Sequence, residues 1–164
     1  MAPSVRANVL IVDPQPLVAR GLASLLRDEV GVNAFMSSSR KEVLAAEIAD
    51  YHPEVVVLGV GASMDAALGL ARVVLESDEG SRLVVLLDPQ SDLSAADFVR
   101  LGMSSVISRD ASLDEVVLAI RQVLAGQKAL DGQMASRLIA ELSVAVRRAD
   151  QGQRDGGLTK RELQ

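Results

Sequence analysis

Two oppositely charged residues, Asp13 and Arg109, each follow a short apolar run that is typical of a buried strand. A carboxylate and a guanidinium brought together could bind an anionic or polar ligand, or they could form an internal ion pair. Burying either charge alone is costly, so pairing is the natural outcome. We therefore favour the ion pair over a ligand site.

Two glycines and a second acidic residue complete the candidate pocket. Gly59 and Gly61 follow the apolar run Val55–Leu58. They could let a ligand phosphate approach the backbone, or they could form a turn with permissive backbone angles. Because no Gly-Lys-Ser/Thr sequence follows them, we favour the turn. Asp88 could add a carboxylate at the mouth of the pocket, although an Asp-Pro pair more commonly starts a turn. The possible ligand pocket thus comprises Asp13, Gly59, Gly61, Asp88 and Arg109.

The composition limits the classes of function. The chain has 164 residues, a net charge of −5 and a pI near 4.9. This charge argues against nucleic-acid binding by the chain alone, because phosphate contacts need clustered Lys and Arg. The lack of cysteine excludes thiolate metal sites and fits a reducing cytoplasm. We expect no enzyme activity, cofactor or metal, since no nucleophile–base pair, metal-ligand cluster or nucleotide fingerprint is recognisable. No run approaches membrane-spanning length, so we expect a cytoplasmic protein.

Short apolar runs alternate with helical patterns along the first two thirds of the chain. The runs are mostly continuous and rich in β-branched residues, as in strands that are covered on both faces of a parallel sheet. They begin at Val9, Val32, Val55, Leu83 and Ser105. Between them, apolar residues recur at helical spacing. This alternation predicts an α/β fold, with a five-stranded parallel sheet of order 2-1-3-4-5, helices on both faces and a further C-terminal helix over 131–149. Beyond Gly126 we predict no strand.

In such a sheet, ligands bind where loops leave the carboxyl ends of the strands, at the reversal of strand order. That point lies between strands one and three. The residues that follow Val12, Leu58, Leu86 and Ile107 therefore define the candidate site.

Four segments resemble NarL/FixJ-type response regulators. The segment Val9–Leu22 is similar to the opening of these proteins, and His52–Leu58 is similar to their third strand and its lead-in. Leu101–Asp110 resembles their strand-five segment, and Leu158–Leu163 resembles the start of their LuxR-type helix-turn-helix domain. The order and spacing of these segments extend the resemblance over essentially the whole chain.

The resemblance implies a receiver domain that has lost most of its phosphorylation pocket. Receivers of this family carry an acceptor aspartate at the end of strand three and two acidic Mg²⁺ ligands after strand one. A hydroxyl residue ends strand four, an aromatic side chain lies on strand five, and a lysine follows it. The corresponding positions here are Asp13 and Pro14 (acidic pair), Gly59 (acceptor), Leu87 (hydroxyl), Val106 (aromatic) and Arg109 (lysine). We therefore expect that ordinary aspartyl phosphorylation does not switch this domain. Leu87 should make the vacated pocket more apolar and better suited to a small organic ligand.

The resemblance also divides the chain. It implies a receiver-like domain over 1–127 and a linker or dimerisation helix over 128–149. The polar, Gly-rich composition of 150–157 predicts a flexible linker there. The start of a truncated LuxR-type domain then lies over 158–164. The full-length protein would bind DNA through that C-terminal domain.

Apolar residues on the last two helices predict a homodimer, because helical DNA-binding families usually read two half-sites. The possible interface comprises Leu118, Met134, Leu138, Leu142 and Ala145. The alternative is that the last helix packs on its own domain. Two other functions stay open: a partner-docking receiver homologue without a DNA role, and a small-molecule sensor with its ligand in the vacated pocket.

Overall fold

The computed structural model describes residues 6–29, 31–77, 80–91, 94–103 and 105–162, with side chains described up to residue 154. Strands and helices alternate along most of this length. The strands are β1 (Ala7–Val12), β2 (Val32–Ser37), β3 (Val55–Gly59), β4 (Arg82–Leu87), β5 (Ser105–Ser108) and β6 (Ala129–Leu130). The helices are α1 (Pro16–Arg27), α2 (Lys41–Tyr51), α3 (Met64–Leu75), α4 (Ala95–Arg100), α5 (Leu113–Leu124) and α6 (Gly132–Glu162).

The strands form one parallel sheet in the order β2-β1-β3-β4-β5-β6. The first five follow the predicted order 2-1-3-4-5, which confirms the fold class. The sixth strand corrects the prediction that no strand lies beyond Gly126, because Ala129 and Leu130 pair with Ser105 and Val106. Two residues are too few to display the period or the β-branched run by which a strand is recognised.

Apolar side chains cover the sheet on both faces, which explains the continuous apolar runs of its strands. One core lies between the sheet and α2, α3 and α4, and it includes Phe98 and Met134. The other lies between the sheet and α1 and α5, and it includes Leu26 and Ile120. With both faces closed, the edge where the strands end remains the place for a site.

Local sequence signals set the ends of several helices. Pro16 is the first residue of α1, where its missing N–H leaves no helical bond unmade. The Ser63 side chain caps α3, and Ser112 and Glu115 form a capping box at the start of α5. These signals place α1, α3 and α5 directly after β1, β3 and β5, which fixes the loops that form the candidate site.

The C-terminal helix is longer than predicted. The sequence indicated a flexible linker over 150–157, whereas α6 continues without a break from Gly132 to Glu162. No proline lies in this stretch, so each residue can extend the ladder of N–H to C=O bonds. Glycine weakens a helix by only about 1 kcal/mol. At about 1.5 Å per residue, the 31 residues of α6 make a long rod.

Candidate functional site

The carboxyl ends of four neighbouring strands meet at one edge of the sheet. Asp13 follows β1, Gly59 ends β3, Leu87 ends β4, and Arg109 follows β5. Backbone hydrogen bonds tie these ends together. The Val60 N–H donates to the Leu86 carbonyl, and the Arg109 N–H donates to the Leu87 carbonyl, each at 3.0 Å. Four of the positions assigned to the phosphorylation pocket, Asp13, Gly59, Leu87 and Arg109, therefore lie at this edge, whereas Val106 lies within β5.

Asp13 and Arg109 form an ion pair at this point. Arg109 Nη1 lies 2.9 Å from Asp13 Oδ2, and Nη2 lies 3.5 Å from Oδ1. The same guanidinium reaches the Val60 carbonyl at 3.4 Å. The Gln15 backbone N–H donates to Asp13 Oδ1 at 2.9 Å. The Asp13 side chain is 1% exposed and that of Arg109 is 20% exposed, so the carboxylate depends on these donors rather than on water.

Gly59 makes room for this pair. A Cβ atom added at position 59 would lie 1.8 Å from Asp13 Oδ2 and 2.8 Å from Arg109 Nη1. The backbone of Gly59 does not have a positive φ, in contrast to Gly31, Gly80, Gly102 and Gly126. The permissive backbone angles that the turn interpretation required at this glycine are therefore absent. Glycine is needed here because two side chains approach its backbone.

Gly61 also has a close neighbour, the ring of Pro14. A Cβ atom at position 61 would lie 3.0 Å from Pro14 Cγ, and this glycine also lacks a positive φ. The proline ring thus occupies space beside the second glycine.

Leu87 and Val106 belong to the core rather than to a pocket. Leu87 is fully buried and Val106 is 1% exposed, and both lie in the cluster beneath α4. The expectation that Leu87 would line a more apolar pocket is wrong, because its side chain points into the core between the sheet and the helices. At these positions an apolar side chain completes the core.

These residues do not fit the Mg²⁺ ion that receivers of the resembled family use. Magnesium prefers octahedral oxygen coordination. Asp13 carries the only carboxylate among the three positions that would supply metal ligands, since Pro14 and Gly59 have none. Both of its oxygens already accept hydrogen bonds. Within the described residues, no group of three or more His, Asp or Glu side chains could hold a metal ion.

A cavity of about 400 Å³ opens beside the ion pair. We call it the strand-end cavity; it is lined by Pro14, Gln15, Val60, Gly61, Ala62, Asp88, Ser91 and Arg109. Of the predicted ligand pocket, Gly61, Asp88 and Arg109 line this cavity, whereas Asp13 and Gly59 lie behind it. Asp88 also starts a turn, because its side chain accepts from the Gln90 N–H and its carbonyl accepts from the Ser91 N–H.

The first turn of α6 is bonded to the end of β5. Asp131 Oδ1 accepts from the Met134 N–H at 2.8 Å and so caps α6. Its other oxygen accepts from the Ser108 N–H at 2.6 Å, one residue before Arg109. The Met134 side chain is fully buried in the core.

Two further side chains of α6 bind the segment between β4 and α4. Arg137 donates to the Asp88 carbonyl at 3.0 Å and to the Ser91 carbonyl at 2.5 Å. It also pairs with Glu141 at 3.2 Å. Glu141 accepts from the N–H groups of Ala95 and Ala96, at 3.2 Å and 2.9 Å, and from the Ser94 hydroxyl at 3.0 Å. We call these contacts of Arg137 and Glu141 the α6 latch.

The latch also sets the charge state of Glu141. Burial raises the pKa of this carboxyl, but the N–H groups of Ala96 and Ala95, the Ser94 hydroxyl and Arg137 together lower it below the ordinary value of 4.5. Glu141 is therefore ionised at neutral pH, and it meets the positive end of α4. Sequence reasoning missed this contact. The spacing of Arg137 and Glu141 indicates a pair within one helix, but it does not reveal a partner on another helix.

The predicted dimer-interface residues lie in different environments. Met134 belongs to the core, so it is not available to a partner. Leu138 is half-buried, whereas Leu118, Leu142 and Ala145 are exposed. Further along α6 the exposed apolar side chains also include Ile139 and Val146. The first residues of the predicted interface, Met134 and Leu138, thus pack against the domain itself. The later residues, Leu142 and Ala145, remain accessible to a partner.

No helix in the described part of the chain is both long enough and apolar enough to span a membrane.

No family model matches the chain. Several curated proteins do. The response regulator GacA of Pseudomonas aeruginosa is 29% identical over 131 residues, covering 80% of this chain and 61% of GacA. The DNA-binding transcriptional activator DevR/DosR of Mycobacterium tuberculosis is 28% identical over 143 residues, covering 87% of this chain and 66% of the activator. The homologues of this chain are response regulators.

Solved structures show the same fold. The isolated receiver domain of RcsB from Salmonella enterica serovar Typhimurium, in its apo form, has a TM-score of 0.70 at 18% identity; the match covers 82% of this chain and 99% of that one. RcsB has also been solved as two dimers bound to two parallel DNAs, with a TM-score of 0.68 at 15% identity over 81% of this chain and 67% of that one. The chain therefore has a receiver fold of the response-regulator type. It spans about three fifths of the length of the first curated relatives that it matches.

Proposed function

We propose that this receiver is a pseudo-receiver: the regulatory domain of a DNA-binding transcription regulator that ordinary aspartyl phosphorylation does not activate. The observation that carries the proposal is the ion pair between Asp13 and Arg109, whose carboxylate lies 1.8 Å from the place of a Cβ atom at position 59. The first side-chain atom of an acceptor residue would have to occupy space that the pair already fills.

The charge of the pair supports the same conclusion. Phosphoryl transfer needs cations that stabilise the charge developing on the phosphoryl group. Here the arginine that stands at the lysine position is neutralised by Asp13 at 2.9 Å. The pair thus stabilises one state of the strand ends without a phosphate, and the switch that phosphorylation would drive has no chemical input at this site.

Similarity to whole regulators supports the DNA-binding part of the proposal. DevR/DosR is a DNA-binding transcriptional activator. The residues Leu158–Leu163 resemble the start of a LuxR-type domain. The net charge of −5 makes this domain itself a poor partner for DNA. We therefore assign DNA contact to a following domain and regulation to the receiver.

A homodimer is part of the proposal, since a dimer suits the two half-sites that helical DNA-binding domains usually read. RcsB binds DNA as dimers. The candidates for its interface are the exposed large apolar residues of α5 and α6, namely Leu118, Ile139, Leu142, Val144 and Val146. Analytical ultracentrifugation at tens of micromolar tests this part, and a monomer at that concentration contradicts it for this chain.

Phosphodonor treatment tests the central claim. The protein is incubated with acetyl phosphate and Mg²⁺, and separately with beryllofluoride and Mg²⁺, and is then examined by intact mass and by oligomer measurement. We expect no gain of a phosphoryl group and no change in oligomeric state. A receiver that carries an acceptor aspartate, treated in the same way, shows that the reagents are active. A stable gain of the mass of one phosphoryl group in this chain would overturn the proposal.

The strand-end cavity supports a second candidate function, the sensing of a small molecule. Its volume of about 400 Å³ lies in the range of small-molecule sites. Its lining combines the carboxylate of Asp88 and the guanidinium edge of Arg109 with the apolar Pro14, Val60 and Ala62. A metabolite-library thermal-shift screen tests it, with Ala62→Trp as the variant that should abolish any stabilisation by filling the cavity.

A further inference from the structure

We propose that α6 is the output element of this domain, and that Arg137 couples its docking to the state of the strand-end cavity. This inference rests on the proposed function, because it names what regulates a receiver that lacks a phosphate. It follows from three sets of contacts.

The first set joins the cavity wall to α6. The carbonyl groups of Asp88 and Ser91 both accept from the Arg137 guanidinium, and both residues line the cavity. The planar fork of an arginine holds two acceptors in a fixed geometry. If either residue shifts when the cavity is filled, the fork loses one of its two partners.

The second set joins the same arginine to α4. Arg137 pairs with Glu141, and Glu141 binds the N–H groups of Ala95 and Ala96 at the first turn of α4. The segment after β4 and the start of α4 are thus held by two side chains that lie one helical turn apart on α6. A displacement of Asp88 or Ser91 therefore alters the contacts of both α4 and α6.

The third set joins the start of α6 to the end of β5, next to the ion pair. Asp131 caps α6 and accepts from the Ser108 N–H, next to Arg109. Arg109 itself lines the cavity. The start of α6 is therefore bonded to the residue that precedes Arg109, while Arg137 is bonded to the opposite side of the cavity lining.

Beyond these contacts α6 is exposed to solvent. Every described side chain from 142 to 154 is exposed, so the docked turns before position 142 determine where the rest of the helix lies. In this proposal α6 has a docked and an undocked arrangement, and a ligand or partner that binds them unequally shifts the balance between them. By reciprocity, if filling the cavity weakens the latch, then breaking the latch must favour filling of the cavity by the same free energy.

The test uses a fluorescent probe and hydrogen exchange. The chain has no tryptophan, so Ala62→Trp places a single indole in the lining of the cavity. Arg137→Gln is then added to this variant, and Arg148→Gln, exposed on the same helix, serves as the matched control. We expect Arg137→Gln to shift the indole emission and Arg148→Gln to leave it unchanged.

Hydrogen exchange of the Ala95 and Ala96 amides gives the reciprocal measurement. We expect roughly fivefold faster exchange in Arg137→Gln or Glu141→Gln, the size of a lost helix cap. We also expect Ala62→Trp to change this exchange in the native background and not in the Arg137→Gln background. Arg137→Lys keeps the charge but not the fork, and it replaces Arg137→Gln if the latter does not fold.

Two results would overturn the inference. One is an indole emission that is the same with and without Arg137. The other is an effect of Ala62→Trp on α4 exchange that is equal in both backgrounds. Neither bears on phosphorylation, whereas a phosphoryl mass gain would overturn the proposed function and leave these exchange measurements standing.

Discussion

Two arginine–carboxylate pairs of this domain are largely shielded from solvent, and they have opposite consequences. In the pair of Asp13 and Arg109 the side chains are 1% and 20% exposed. In the pair of Arg137 and Glu141 they are 17% and 25% exposed. The other ion pairs of the described residues are more exposed, and pairs of that kind contribute little.

The first pair fills the space at the strand ends, and the second connects α6 to α4. Asp13 accepts hydrogen bonds from Arg109 and from the Gln15 N–H, so both of its oxygens have partners in the loops at the strand ends. Glu141 accepts most of its hydrogen bonds from the start of another helix. The first pair therefore ties the ends of β1 and β5 to each other, whereas the second joins α6 to α4.

The largest effect is expected when the first pair is broken from the arginine side. Arg109→Ala leaves the Asp13 carboxylate buried without its ion partner, which costs about 3–5 kcal/mol of unfolding free energy. Asp13→Asn should cost less, about 1–3 kcal/mol, because the partly exposed Arg109 can turn to water. Urea denaturation of both variants measures the difference. Equal losses of unfolding free energy in the two variants would contradict the prediction, because they would mean that Arg109 depends on the pair as much as Asp13 does.

The next largest effect concerns the glycine beneath the pair. Gly59→Ala should destabilise by about 1–3 kcal/mol or more, because its Cβ atom cannot share space with Asp13. Gly21→Ala is the matched control. It lies in α1 with no atom within 4 Å of an added Cβ, and it should be stabilising by about 0.5–1 kcal/mol. A Gly59→Ala variant as stable as the native chain contradicts the close approach.

The pocket shows how far the sequence could lead. Asp13 and Arg109 were predicted to meet because both follow strands whose carboxyl ends converge, a consequence of topology alone. The reason for Gly59 was not predictable, because its neighbours are side chains that follow β1 and β5, remote in sequence. The contact of Glu141 with α4 depends on the direction in which α6 crosses the domain, which spacing within α6 does not contain. Sequence period therefore located the elements, and only their packing revealed the latch.

A smaller effect is expected at the second pair. Glu141→Gln keeps the size of the side chain but weakens the cap on α4, and it should cost about 1 kcal/mol. Asp150→Asn is the matched control, because it removes a carboxylate from an exposed position further along the same helix, and it should cost no more than about 0.5 kcal/mol. Thermal or urea unfolding at pH 7 compares them. If the two variants lose the same stability, Glu141 contributes only as a surface charge and the latch does not hold α4.

The smallest effect is the pH dependence of that difference. The donors around Glu141 lower its folded-state pKa below 4.5, so the stability that its charge contributes is fully present above the unfolded value. That contribution is lost as the pH falls through the folded pKa. The stability gap between the native chain and Glu141→Gln should therefore stay constant from pH 7 to about 5 and narrow at lower pH. Because the side chain is partly exposed, added salt should narrow the gap as well. A gap that widens on acidification would mean that burial, which raises the pKa, outweighs the hydrogen bonds from α4, and the second pair would then resemble a buried charge rather than a cap.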